Sequence, residues 1–184
     1  MEPVNVRHLS WLQRKLLALI SGWDAEKYFK RRAIVTSPKF KCPVVLKLYY
    51  LFWIKRKDAR HGCSFGTNLN IGNRYATAPI LSHGPKGIVV GYDAEIGTET
   101  IIYQQVTIAA RKVKIGNHVE LGSKCTILPG VTIGDYAKVG ANCVVAHDVP
   151  AYATIVPAPA RLIKHTREER FKQKSKNENI DNCG

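Results

Sequence analysis

Between residues 61 and 163 the apolar positions recur every six residues. Val90, Ile96, Ile102 and Ile108 are six apart, and after one extra residue the count resumes at Ile115, Leu121, Ile127, Ile133, Val139 and Val145. All ten are aliphatic. The position two before each is restricted as well: Ile88, Ala94, Thr100, Val106, Val113, Val119, Cys125, Val131, Ala137 and Cys143. Glycine follows six of the ten, at positions 91, 97, 116, 122, 134 and 140; with 14 glycines in 184 residues, ten random positions would hold fewer than one. Alternation within each step predicts a very short strand with one inward face. A glycine after the inward residue predicts a turn there, because glycine tolerates unusual backbone angles. A single step cannot bury its own face, so successive steps must stack into a solenoid whose backbone groups pair between coils. The period does not fix the hand of the coil.

The flanks follow other patterns. Residues 1–60 read as helices. From His8 to Trp23, Leu9, Leu12, Leu16, Leu19, Ile20 and Trp23 fall at helical spacing. Pro43 opens a second helical run through Val45, Leu46, Tyr49, Tyr50 and Trp53, which ends in KRKDARHG. Residues 164–184 are polar, with room for a short helix around residues 167–174 before a disordered end. The chain thus divides into a basic helical segment (1–60), a solenoid (61–163) and a polar tail (164–184).

Composition changes this picture little, and charge changes it more. The net charge of +14 favours polyanionic partners: nucleic acid, an anionic membrane surface, an acidic glycan or a phosphorylated cofactor. Basic residues lie mainly in the helices and the tail, without a nucleic-acid-binding motif, so no nucleic acid is expected. Lys and Arg flanking aromatic residues in the helices leave room for weak association with a membrane surface. The five cysteines (42, 63, 125, 143 and 183) form neither a CxxC pair nor a His/Cys cluster, and their odd number argues against a disulfide framework. No metal site is expected. The start lacks the basic-then-apolar order of a signal peptide. The longest apolar stretch, Val44 to Ile54, is too short to span a bilayer. A reducing cytoplasm is therefore expected.

The [LIV]-G-x4 steps resemble those of the hexapeptide-repeat acyltransferases. LSHGPKGIVVGYDAEIG, then IYQQVTIAA, then VGANCVVAHDVPAYATIVPAPARLI occur in the order typical of the serine acetyltransferase branch and its polysaccharide O-acetyltransferase relatives. The resemblance covers roughly residues 61–164. It implies an all-β solenoid, a left-handed parallel β-helix with three six-residue steps per coil, behind a short N-terminal helical segment. It also implies a homotrimer with active sites between neighbouring subunits and acetyl-CoA as co-substrate.

His83 matches the family's catalytic histidine. An imidazole that titrates near neutral pH can take the proton of a hydroxyl as it attacks a thioester and later release it. The resemblance further implies that Ser123, Ala141, Ala146 and His147 line the pantetheine arm, and that Arg161 and Lys164 meet the CoA phosphates, which basic side chains hold well. Tyr103 and Gln104 are expected beside the acceptor, with the Gln104 amide as a candidate oxyanion donor. His8, His61, His118 and His165 read as surface residues.

Three departures shape the functional expectation. Ser82 stands where serine acetyltransferases usually place an aspartate. VTIAARKVKIG is too short for their glycine-rich loop with its second histidine. Pro157 replaces a glycine near the close. The sequence is therefore read first as an O-acetyltransferase acting on a sugar hydroxyl of a surface polysaccharide or its precursor. The alternatives are a serine O-acetyltransferase and a non-catalytic trimeric scaffold.

Overall fold

The computed structural model describes residues 16, 19–38 and 40–158. The chain forms a left-handed parallel β-helix of about four coils, preceded by helices. Two-residue strands stack into three parallel faces. Face one stacks Ile80–Leu81, Ile101–Ile102, Glu120–Leu121, Lys138–Val139 and Thr154–Ile155. Face two stacks Val89–Val90, Thr107–Ile108, Thr126–Ile127 and Val144–Val145. Face three stacks Arg74–Tyr75, Glu95–Ile96, Lys114–Ile115 and Thr132–Ile133, and Val149 bridges to Ile133. A small antiparallel pair, Thr67–Asn68 with Ile71–Gly72, precedes the first coil.

The period of six is the length of one side of this triangle. All ten aliphatic positions are buried, and so are the ten positions two before them. Each side thus contributes two inward side chains, and the core is a column of them. Cys125 and Cys143 are two of these core residues. Burial, with Cys143 as a neighbour, pushes the Cys125 thiol up to about 12, so it is an inert apolar filler.

The glycines act differently from the expectation. None of the six adopts a positive φ. A Cβ at Gly91 would lie 2.3 Å from the Ala110 nitrogen, and one at Gly97 would lie 2.4 Å from the Gly116 oxygen. They are glycines because the next coil's backbone passes too close for a side chain. The left-handed turn residue comes two positions later, at Asp93, Glu99, Gln105, His118, Lys124, Tyr136 and Asn142 among others. That conformation aims the N–H along the solenoid axis: Lys124 donates to the Gln104 carbonyl at 3.1 Å and Asn142 to the Ser123 carbonyl at 2.9 Å. The bond to the neighbouring coil offsets a left-handed backbone that costs an L-residue roughly 1–2 kcal/mol.

The helical segment closes the first end of the solenoid. Helix α1 (Ala25–Thr36) starts where the Asp24 side chain accepts from the Lys27 N–H. Helix α2 (Val44–His61) starts after Pro43 and ends at Gly62, in the left-handed conformation. Helix α1 was not separated from its neighbours by the apolar spacing. Trp23, assigned to the first helical run, instead follows a bend at Gly22 and packs into a buried cluster with Tyr28, Phe29 and Phe65. Residues 16 and 19–21 are helical, and the rest of that run lies outside the described residues. Buried Arg32 donates to the Phe65 and Asn73 carbonyls and to the Thr67 hydroxyl. It satisfies backbone groups that the first coil would otherwise leave unpaired.

Candidate active site

The corner between faces one and two carries the candidate chemistry. At regular corners successive inward positions are six apart, as Ile102 and Ile108 are. At the corner after Leu81 the next one, Val90, is nine away, and the three extra residues form a loop that projects His83. Gly84 and Gly87 both adopt positive φ, at 73° and 68°, which lets this loop reverse tightly. Pro85 and Ile88 are buried and anchor it. His83 itself is exposed.

Beneath it the same corner of each coil forms a column. Tyr103 and Gln104 occupy the second coil, Ser123 the third and Ala141 the fourth. Inter-coil hydrogen bonds fix the order, from Gln105 to the Lys86 carbonyl and on through Lys124 and Asn142. The Tyr103 ring lies 5.9 Å from that of His83. Its hydroxyl is 3.3 Å from Glu120 Oε1, and Ser82 is also within hydrogen-bond reach of it. Partial burial, then the Glu120 carboxylate, hold the Tyr103 phenol above its usual range, so it stays protonated and can donate. Gln104 Oε1 is buried without a hydrogen-bond partner among the described residues. An unpaired buried carbonyl at this corner is an acceptor awaiting a donor.

The structure therefore brings His83, Tyr103, Gln104, Ser123 and Ala141 onto one edge. It does not bring Ala146 and His147 there. They follow the face-two strand Val144–Val145 and occupy the next corner, beside Asp148, whose Oδ1 accepts from the Thr132 N–H. Both are exposed. The sequence reading grouped them with Ala141 because they are close in the chain, but six residues carry the chain from one corner to the next. Arg161 and Lys164 lie outside the described residues. Among the described residues no group of three or more His, Cys, Asp or Glu side chains could hold a metal ion.

His118 and His61 have local partners, and His8 and His165 lie outside the described residues. His118 is exposed but stacks on Tyr136 at 4.6 Å and sits 3.3 Å from Glu99. His61 is half-buried against Trp23, so it is not a plain surface residue; burial lowers its pKa.

Comparison with known proteins agrees with this geometry. The family described as bacterial transferase hexapeptide (six repeats) matches residues 112–147. A serine acetyltransferase of Helicobacter pylori is 32% identical over 109 residues, which are 55% of this chain and 63% of that protein. One of Bacillus subtilis is 29% identical over 126 residues, 64% of this chain and 56% of that protein. The chain thus spans less than two thirds of the curated relatives it matches. Among solved structures, a serine acetyltransferase in complex with cysteine aligns at TM-score 0.61 and 26% identity, covering 89% of this chain and 63% of that one. A second, in complex with CoA, aligns at TM-score 0.56 and 28% identity, covering 75% and 54%. The chain is therefore similar to hexapeptide-repeat acyltransferases of the serine acetyltransferase type in both sequence and fold.

Proposed function

We propose that this protein is an acetyl-CoA-dependent O-acetyltransferase with His83 as general base and the hydroxyl of serine as its acceptor. The observation that carries the reading is the three-residue insertion that lifts His83 out of an otherwise regular corner, above a column of small and polar side chains. The relatives' names favour serine over the sugar that the sequence reading put first.

The chemistry balances on the chain's own groups. His83 accepts the hydroxyl proton as the acceptor oxygen forms a bond to the thioester carbonyl carbon. The resulting oxyanion takes a hydrogen bond from a nearby donor, for which the Gln104 amide is the candidate. Collapse breaks the carbon–sulfur bond. The imidazolium returns its proton to the departing thiolate, leaving an acetyl ester and CoA. Ser123 and Ala141, small side chains at the corner below His83, leave room for an extended pantetheine arm. Ala146 and His147 sit across face two from them, so one chain does not assemble the whole donor site. A homotrimer, in which a neighbouring subunit supplies the second wall, completes it.

A sugar hydroxyl remains a second reading because of two observations. Ser82, not an acid, precedes His83. The turn at residues 109–112 holds one extra residue, with Arg111 and Lys112 both in the left-handed conformation, too short a turn to enclose a small acceptor. Thiol release from acetyl-CoA should be measured with purified protein across serine and several glycans. Turnover with serine that His83→Ala lowers by about 10²–10⁴-fold is the expected result. Turnover with glycans alone would overturn the serine reading. Transfer unchanged in His83→Ala would overturn the mechanism and leave a scaffold.

A further inference from the structure

The N-terminal helices do more than close the solenoid. Helix α2 turns two charged residues inward and leaves a large apolar set exposed. Its charged residues Lys47 and Asp58 are 5% and 6% exposed, whereas Val45 and Phe52 are 78% and 66% exposed. Lys47 turns inward to donate to the Ser37 carbonyl and to Asn70 Oδ1, both at 2.9 Å. Asp58 accepts from the Tyr28 hydroxyl at 2.6 Å. The inner face thus holds these polar anchors beside buried Ile54, and a second apolar set is left outside. Val45, Leu48, Tyr49 and Phe52 fall at helical spacing on one outer face, and Arg56 and Arg60 continue it by one and two turns.

The basic end of this face has its own cleft. Trp53, Arg56, Lys57 and Arg60 line a volume of about 280 Å³. Lys57 donates to the Gly22 carbonyl at 2.6 Å, which brings the preceding segment alongside. Partial burial, followed by Arg60, Arg56 and Lys27, lowers its pKa, so cations crowd this cleft. The charge is concentrated here. Residues 1–60 hold 14 Lys and Arg against four Asp and Glu, a surplus of ten out of the net +14. Leu19 and Ile20, three and two positions before Gly22, are also exposed.

We propose that the outer face of α2 docks on an anionic lipid bilayer, with Val45, Leu48, Tyr49 and Phe52 entering the headgroup–acyl boundary and the cleft of Trp53, Arg56, Lys57 and Arg60 taking lipid phosphates. The argument for this occupant is charge complementarity. An apolar face ending in three cations, Arg56, Lys57 and Arg60, suits neither a neutral protein groove nor a second copy of itself, which would bring the two basic ends into repulsion wherever they met. A negative surface accepts both halves at once. No described helix is long and apolar enough to cross a membrane, so the mode is a helix lying on the surface.

The test is cosedimentation of the full chain with vesicles of phosphatidylcholine alone and of phosphatidylcholine mixed with phosphatidylglycerol. The expected result is binding at least about tenfold stronger to the mixed vesicles, falling with salt. Phe52→Asp and, separately, Arg56→Glu should each reduce it several-fold while leaving the melting temperature and oligomeric mass unchanged. Equal binding to both vesicle types, no binding, or binding unaltered in both variants overturns the proposal. So does a change of oligomeric mass in Phe52→Asp, which would assign the face to another copy, or binding that appears only when residues 1–15 are removed, which would assign it to the chain's own first residues.

Discussion

The Tyr103 ring lies 5.9 Å from that of His83, tilted by 42°, while its hydroxyl reaches Glu120 at 3.3 Å. An aromatic residue therefore stands where an acidic partner for the histidine would be sought, and the acid lies one coil further on. Glu120 is itself 3.5 Å from Lys138. The edge of face one thus carries a polar chain that ends at the His83 loop through Ser82 and Tyr103.

This arrangement predicts that Tyr103 positions the loop without touching the transferred proton. Tyr103→Phe keeps the ring beside His83 and removes the links to Ser82 and Glu120. It should lower kcat about tenfold, the worth of one charge-assisted hydrogen bond, with little change in KM. Glu120→Gln should lower it less. Steady-state rates of both variants, with melting curves as controls, check the point. A Tyr103→Phe enzyme with unchanged kcat would leave the ring alone as the relevant group.

Gln104 is predicted to act on the substrates. Its Oε1 is buried and unpaired, which costs about 1–3 kcal/mol in the free protein. Gln104→Leu should then melt at the same or a slightly higher temperature while kcat/KM falls about tenfold or more. Loss of stability together with activity would make Gln104 a structural residue. Thermal melts beside kinetics separate the two outcomes.

The repeat was legible because its signal is redundant: two inward positions per side, recurring at a fixed interval, and every one of the twenty is buried. The site was legible only in part. His83 stands out because its loop interrupts the repeat, but Gln104 sits in a corner of regular length, and Tyr103–Glu120 is a contact between coils 17 residues apart, of which a single sequence carries no mark. The corner that separates Ala141 from His147 was likewise hidden, since sequence proximity hides a change of face. The α2 helix misleads for a different reason. Its apolar spacing predicts a buried stripe, yet Lys47 and Asp58 share the inward places with Ile54, because the segments packed against it present polar groups to be satisfied: the Ser37 carbonyl, the Asn70 side chain and the Tyr28 hydroxyl.

The glycines of the repeat should respond to substitution by place and not by backbone angle. At Gly97 a Cβ would meet the Gly116 oxygen at 2.4 Å, inside the stack, where neither coil can move. At Gly130, with φ of 80°, nothing lies within 4 Å of the Cβ position. Gly97→Ala should cost about 3 kcal/mol or prevent folding. Gly130→Asn, at a corner where neighbouring coils already carry non-glycine residues in this conformation, should cost about 1 kcal/mol or less. Denaturant melts of the two variants decide between close approach and turn geometry as the reason for the G in each step.

Asp58 sets a pH dependence of opposite sign to that of a salt-bridged carboxylate. Burial raises its pKa above the usual 3.8, and the hydrogen bonds from Tyr28 and Cys63 and the charges of Lys55 and Arg32 only partly offset this. A carboxyl whose pKa is higher in the folded state than in the unfolded chain binds its proton more tightly when folded. Its contribution to stability is then complete below about pH 3.8 and is lost as the pH climbs through the raised value. Asn at this position keeps an oxygen for the Tyr28 hydroxyl and cannot ionise. The difference in unfolding free energy, wild type minus Asp58→Asn, should therefore fall as the pH rises from the acid range towards neutrality and then level off. Denaturant titrations of both proteins at several pH values measure it directly. A difference that rises over the same range would mean that Arg32 and Lys55 dominate the carboxylate, and that the core of the helical segment holds an ion pair instead of a strained acid.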